Sequence, residues 1–140
     1  MSSEHNKAIA QRFYDLVWNQ GNMAVADELF TPDTVDHASP PGFPSGIAGV
    51  KQVFGMYRGA FPDLTITIED MIADGDKVVA RWTSRGTHRG DLMGIPPTGK
   101  QVTITGIDIL RFEGDKIAEH WANFDMLGMM QQIGVAPSPG

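Results

Sequence analysis

The sequence predicts an α+β fold in one domain, three helices followed by long antiparallel strands. Two observations carry this. Apolar residues recur every three or four positions in the first half of the chain and every second position in the second half. Glycine–aspartate turn dipeptides separate the alternating runs. At 140 residues the chain fits a single ordinary domain, spanning 1–140, and folding buries roughly two-thirds of the extended-chain surface.

Ile9, Phe13, Leu16 and Val17 mark an amphipathic helix from about Glu4 to Asn19, which Gly21 ends by taking the left-handed conformation. Asn22 can cap a second, short helix running through Phe30 and stopping before Pro32. Three prolines and two glycines make Pro40 to Gly46 a loop. Ile47, Val50, Phe54, Tyr57 and Phe61 then form one stripe of a third helix. Gly49, Gly55 and Gly59 weaken its propensity, so packing must hold it.

Leu64 to Ile68 and Val78 to Thr87 alternate and are rich in β-branched residues, with Asp74-Gly75-Asp76 between them. Gly90 to Lys100 is a loop. Val102 to Phe112 and Lys116 to Phe124 form a second hairpin around Gly114-Asp115, and a brief helix spans Met126 to Gln132. The tail from about 134 to 140 is expected to fray.

Composition narrows the partners. A formal net charge of −6, with Lys and Arg scattered singly, argues against nucleic acid. The sequence has no membrane-length apolar run, and its first residues lack the pattern of a signal peptide. With no cysteine, neither disulfides nor thiolate metal sites contribute. The expected location is the cytoplasm, and the expected partner a small molecule.

The last hairpin is the informative part. With a two-residue turn at Gly114-Asp115, Asp108 pairs with Trp121, Gly106 with Asn123 and Ile104 with Asp125. Asp108, Trp121, Asn123 and Asp125 then share one face, greasy near the turn and polar toward the far end, as in a small-molecule pocket. The other face carries Ile107, Ile109, Ala118, His120, Ala122 and Phe124 and would suit subunit pairing. A three-residue turn would instead bring His120 to the Asp108 face and take Asp125 off it.

Asp125 also stands where it could cap the helix beginning at Met126, and the sequence leaves both readings open. Asp108 interrupts an alternating strand, where aspartate is disfavoured and needs a partner or a purpose. His37, His88 and His120 come from separate elements without the spacing of a zinc site, so no metal is expected. Tyr14, Trp18, Trp82 and Trp121 are of a type that more often fills a core than stacks on substrate, though a flat aromatic substrate would use such surfaces.

In order along the chain, several segments resemble the SnoaL-like polyketide cyclases of the nuclear-transport-factor-2-like superfamily. They are Arg12-Phe13-Tyr14, Val35-Asp36-His37, Phe61-Pro62-Asp63-Leu64, Arg81 to His88, Pro96-Pro97-Thr98-Gly99-Lys100 and Glu113 to Trp121. The resemblance spans nearly the whole chain. It implies a dimeric α+β cone, its curved sheet and helices enclosing a deep pocket. It also implies cofactor-free closure of a ring in a polyketide precursor by intramolecular aldol condensation, with an aspartate as general acid/base. The carboxylate matched to that role is Asp125, and a shift of two residues would put Asn123 there instead; Asp108, singled out by its place in mid-strand, is the second catalytic candidate. Tyr14, His37, Trp82, His88, His120, Trp121 and Asn123 are the expected substrate-binding residues. Two other functions share the same pocket: a different proton-shuttling isomerase, lyase or hydrolase, or a domain that binds a ligand without catalysis.

Overall fold

A computed structural model of the chain describes residues 2–137. Its elements run α1 (Ser3–Arg12), a π-helical segment (Phe13–Asn19), α2 (Ala26–Leu29), β1 (Phe30–Asp36), α3 (Gly46–Ala60), β2 (Thr65–Asp74), β3 (Lys77–Thr87), β4 (Gln101–Glu113), β5 (Lys116–Phe124) and α4 (Met126–Gln132). The five strands form one sheet in the order β1-β5-β4-β3-β2. β1 runs parallel to β5 and the other neighbours are antiparallel. The core lies between one face of this curved sheet and the helices, around Phe13, Val17, Phe30, Phe54 and Leu110.

The α+β expectation is met, and four elements differ from it in detail. The first helix changes winding after Arg12. The second helix is shorter, with the Asn22 side chain accepting from Val25 N–H at 3.2 Å, and the chain turns directly into β1. That strand carries Pro32, which is tolerated because β1 is an edge strand and needs no ladder donor at every residue. β2 continues past Ile68, where a bulge before Asp70 interrupts the alternation that marks its first half.

Gly49 in α3 has a structural purpose. A Cβ there would come within 1.7 Å of the Pro44 carbonyl oxygen, so the helix start can press onto the preceding loop only with glycine. Both hairpin turns use glycine in the left-handed region, Gly75 and Gly114 each at φ 60°. The Gln132 side chain ties α4 to β4 by bonding both the N–H and the carbonyl of Thr103, at 2.7 and 2.8 Å. Of the expected frayed tail, residues 134–137 fold back: Gly134 N–H meets Gln131 O, and Pro137 O accepts from Gln131. Residues 138–140 lie outside the described part. No helix is long and apolar enough to cross a membrane among the described residues.

Candidate active site

The decisive local feature is in β5. The turn at Gly114-Asp115 forms with Glu113 opposite Lys116 and Phe112 opposite Ile117, as the sequence predicts. Beyond it Arg111 pairs with Glu119, leaving Ala118 as an extra, unpaired residue. Ile117 and Ala118 are consecutive and both buried, as a bulge at this point allows. From there to Phe124 every side chain is on the face opposite to the one expected. This corrects the register: Asp108 pairs with Ala122, and Gly106 with Phe124.

A cavity opens between the inner face of the sheet and the helices. Tyr57, Phe61, Ile66, Trp82, Ile104 and Phe124 supply much of its apolar wall, and Asp36, Asp108, His120 and Ser84 its polar groups. Asp36 ends β1 and His120 lies beside it in β5, an alignment fixed by the parallel pairing. Asp108 reaches in from β4. Behind it, Tyr14 sits in the π-helical segment, fully buried, and its phenol donates to Asp108 Oδ2 at 2.7 Å. Such segments carry one residue more per turn and recur at functional sites.

His120 is clamped between two carboxylates. Its Nδ1 bonds Asp36 Oδ1 at 3.1 Å, and its Nε2 lies 3.6 Å from Asp108 Oδ2, an ion contact too long for a hydrogen bond. The three side chains are 7%, 8% and 5% exposed. Burial opposes charge on the imidazole, but the two carboxylates outweigh it and push its pKa up to about 10. His120 is therefore an imidazolium at neutral pH. Asp36 is desolvated too, yet hydrogen bonds from His120 and the Ala38 N–H and the nearby positive charge hold its pKa below the ordinary value. Burial raises Tyr14 well above the usual phenol range, with the Asp108 charge adding to it, so it remains a donor. Among the described residues nothing donates to Asp108 Oδ1. The arrangement offers a carboxylate with one anchored and one open oxygen, and a fixed cation beside it.

The expected site residues divide. Asp108, Trp82 and His120 line the cavity, and Tyr14 supports Asp108 from behind. Asp125 is exposed at the N-cap of α4, its Oδ1 accepting from Gly128 N–H at 2.8 Å, and is not part of the cavity wall. Trp121 and Asn123 point to the outer face because of the bulge. His37 lies on that face as well, stacked on Trp121 with ring centroids 5.0 Å apart and bonded to Glu119 at 2.7 Å. His88 is fully buried away from the cavity, its Nδ1 accepting from the Thr98 backbone N–H. Asp36 is the functional candidate that sequence reasoning passed over; its one signal was its place in Val35-Asp36-His37. Among the described residues no group of His, Asp and Glu is arranged to hold a metal ion.

The family model for SnoaL-like polyketide cyclases matches residues 8–133. This chain belongs to the SnoaL-like polyketide cyclase family. Nogalonic acid methyl ester cyclase of Streptomyces nogalater is 29% identical over 121 residues, which cover 84% of this chain and 89% of that protein. Among solved structures, TsrD of Streptomyces laurentii superposes with a TM-score of 0.88 at 28% identity, covering 96% of this chain and 98% of its own. A protein of Acidithiobacillus ferrooxidans, named provisionally as a polyketide cyclase, gives a TM-score of 0.83 at 37% identity, covering 98% and 100%. The nuclear-transport-factor-2-like cone expected for a SnoaL-like cyclase is thus the fold of this chain.

Proposed function

We propose that this SnoaL-like protein closes a ring in a carbonyl-rich, polyketide-like substrate by intramolecular aldol condensation, with Asp108 as proton carrier. The observation that carries the reading is the Asp108 carboxylate. One oxygen is anchored by Tyr14 and sits beside the His120 imidazolium, and the other has no donor, in a cavity otherwise mostly apolar. Asp108 removes a proton from a methylene flanked by two carbonyl groups. The His120 cation, held in place by Asp36, stabilises the negative charge that develops on the enolate oxygen. The enolate carbon then bonds to a nearby ketone carbon. The C=O π bond becomes an alkoxide, and protonated Asp108 returns its proton there, so the step is redox-neutral and leaves the enzyme unchanged. Holding the substrate bent contributes as much as the base, up to about 7–11 kcal/mol in the best intramolecular cases.

The protein is also proposed to act as a homodimer. Ile72, Val79, Ile109 and Trp121 align across four strands on the outer sheet face, and Ile72 and Ile107 are 60% and 48% exposed. A second copy is the partner such a self-complementary apolar row suits best.

The test of catalysis is the variant Asp108→Asn, assayed with nogalonic acid methyl ester as first probe. Turnover is expected to fall about 100-fold or more, the usual scale for a lost acid/base group, while Asp125→Asn keeps it. Full activity in Asp108→Asn would overturn the assignment.

A further inference from the structure

We infer that Trp82 orients the substrate by donating its indole N–H to an acceptor oxygen of a flat aromatic ligand, and that Gly106 fixes the indole where it can do so. The inference rests on reading the cavity as a substrate site. Trp82 forms part of the cavity wall and is 7% exposed. Its Nε1 is buried and has no hydrogen-bond partner. An indole nitrogen can only donate, and the protein supplies no acceptor. A buried donor left unmet is costly, and such groups persist where a ligand completes them.

The sheet holds that ring deliberately. Trp82 pairs with Gly106, and Gly106 with Phe124, so the three lie in one row across β3, β4 and β5. A Cβ at position 106 would fall 2.3 Å from Trp82 Cζ2 and 2.7 Å from Cε2 and Cη2. The indole therefore lies down over the glycine, in the hollow where any other residue would place its side chain. Nε1 is bonded to Cε2, so the same contact sets the donor's position. Phe124 stands beyond it, ring centroids 6.4 Å apart.

A second buried donor of the cavity, His120 Nε2, is also without a hydrogen bond. The two arise at different rows of the sheet, since His120 pairs with Leu110 and Trp82 with Gly106. The complementary ligand carries acceptor oxygens at two separated points of a planar frame. Trp82 selects for the one remote from the reacting carbon, and this distinguishes it from a mere apolar wall.

The test uses 2-acetylnaphthalene and 2-ethylnaphthalene, matched in shape and differing in one acceptor oxygen, titrated into ¹⁵N-labelled protein. The chain has three tryptophans, and the indole signal missing in Trp82→Phe identifies the one to follow. In the wild type the ketone is expected to bind about tenfold tighter than the hydrocarbon, the scale of one net hydrogen bond, and to move the Trp82 N–H signal downfield. Trp82→Phe should retain the fold by circular dichroism and lose that preference. Gly106→Ala should displace the Trp82 signal in the free protein and weaken both probes. A ketone preference that survives in Trp82→Phe, equal binding of the two probes by the wild type, or no binding of either would overturn the proposal. Because these are binding measurements, they stand or fall separately from the turnover of Asp108→Asn.

Discussion

Replacing His120 by glutamine removes the cation from a site that keeps both carboxylates. Asp36 and Asp108 are 8% and 5% exposed, so neither can recover much hydration. Removing one partner of a buried ion pair typically costs about 3–5 kcal/mol. Tyr14 still donates to Asp108 and the Ala38 N–H to Asp36, which places the expected loss at neutral pH near the lower end, about 3 kcal/mol. For a chain of this size that lowers Tm by about 10 °C. The pH dependence is the sharper readout. His120 has its pKa raised from 6.5 to about 10, so the native state holds its proton more tightly than the unfolded chain. The stability this gives is complete below about pH 6.5 and is lost as pH rises through about 10. Wild-type protein should therefore weaken on the alkaline side and the variant should not. On the acid side the gap should close. In the wild type Asp36, whose pKa is held down by its bonds to the imidazolium and the Ala38 N–H, contributes stability that is lost as pH falls below its ordinary value, and the variant lacks the imidazolium's share of it. Urea unfolding at several pH values between about 3 and about 10 measures all of this. A stability difference that stays constant across that range would refute the charged cluster.

Asp125→Ala should cost about 1 kcal/mol of stability, the usual worth of an N-cap, and leave turnover unchanged, measured by urea unfolding and by the same cyclase assay. Loss of activity with stability retained would return the acid/base role to Asp125. Sedimentation should give twice the chain mass of 15.2 kDa, and a monomer at micromolar concentration would contradict pairing through the row of Ile72, Val79, Ile109 and Trp121.

Much of the fold was legible because period and turn chemistry are local. The switch from helical to alternating spacing at Leu64, the Gly75 and Gly114 turns and the α4 segment all appear where the sequence puts them. β1 was not legible: Phe30–Asp36 contains Pro32 and pairs with a strand more than eighty positions later, so its only reason to be a strand is tertiary. The change of winding after Arg12 left no mark either, since Phe13, Tyr14 and Val17 satisfy a helical stripe in both geometries. Asp108 stood out because an aspartate in the middle of an apolar strand is expensive unless paired. Asp36 did not, because an aspartate at a strand end is ordinary until His120 is placed beside it.

The composition of the site turns on Ala118. Lys116-Ile117-Ala118 contains no glycine or proline to announce a bulge, and two-residue turn logic carried along β5 without one brings Trp121, Asn123 and Asp125 inward. The extra residue reverses that choice at a single point and delivers His120 to Asp108 and Asp36 instead. Burial decides the matter energetically. The regular register would leave the apolar Ala118 outside, face the His120 imidazole away from both carboxylates, and strand Asp108 at 5% exposure with only a phenol for company. One unpaired backbone position at the bulge costs far less than an uncompensated buried carboxylate pair. The bulge and the charge cluster therefore require each other. The residue order Asp36, Asp108, His120, scattered over three strands, becomes a site only through that irregularity.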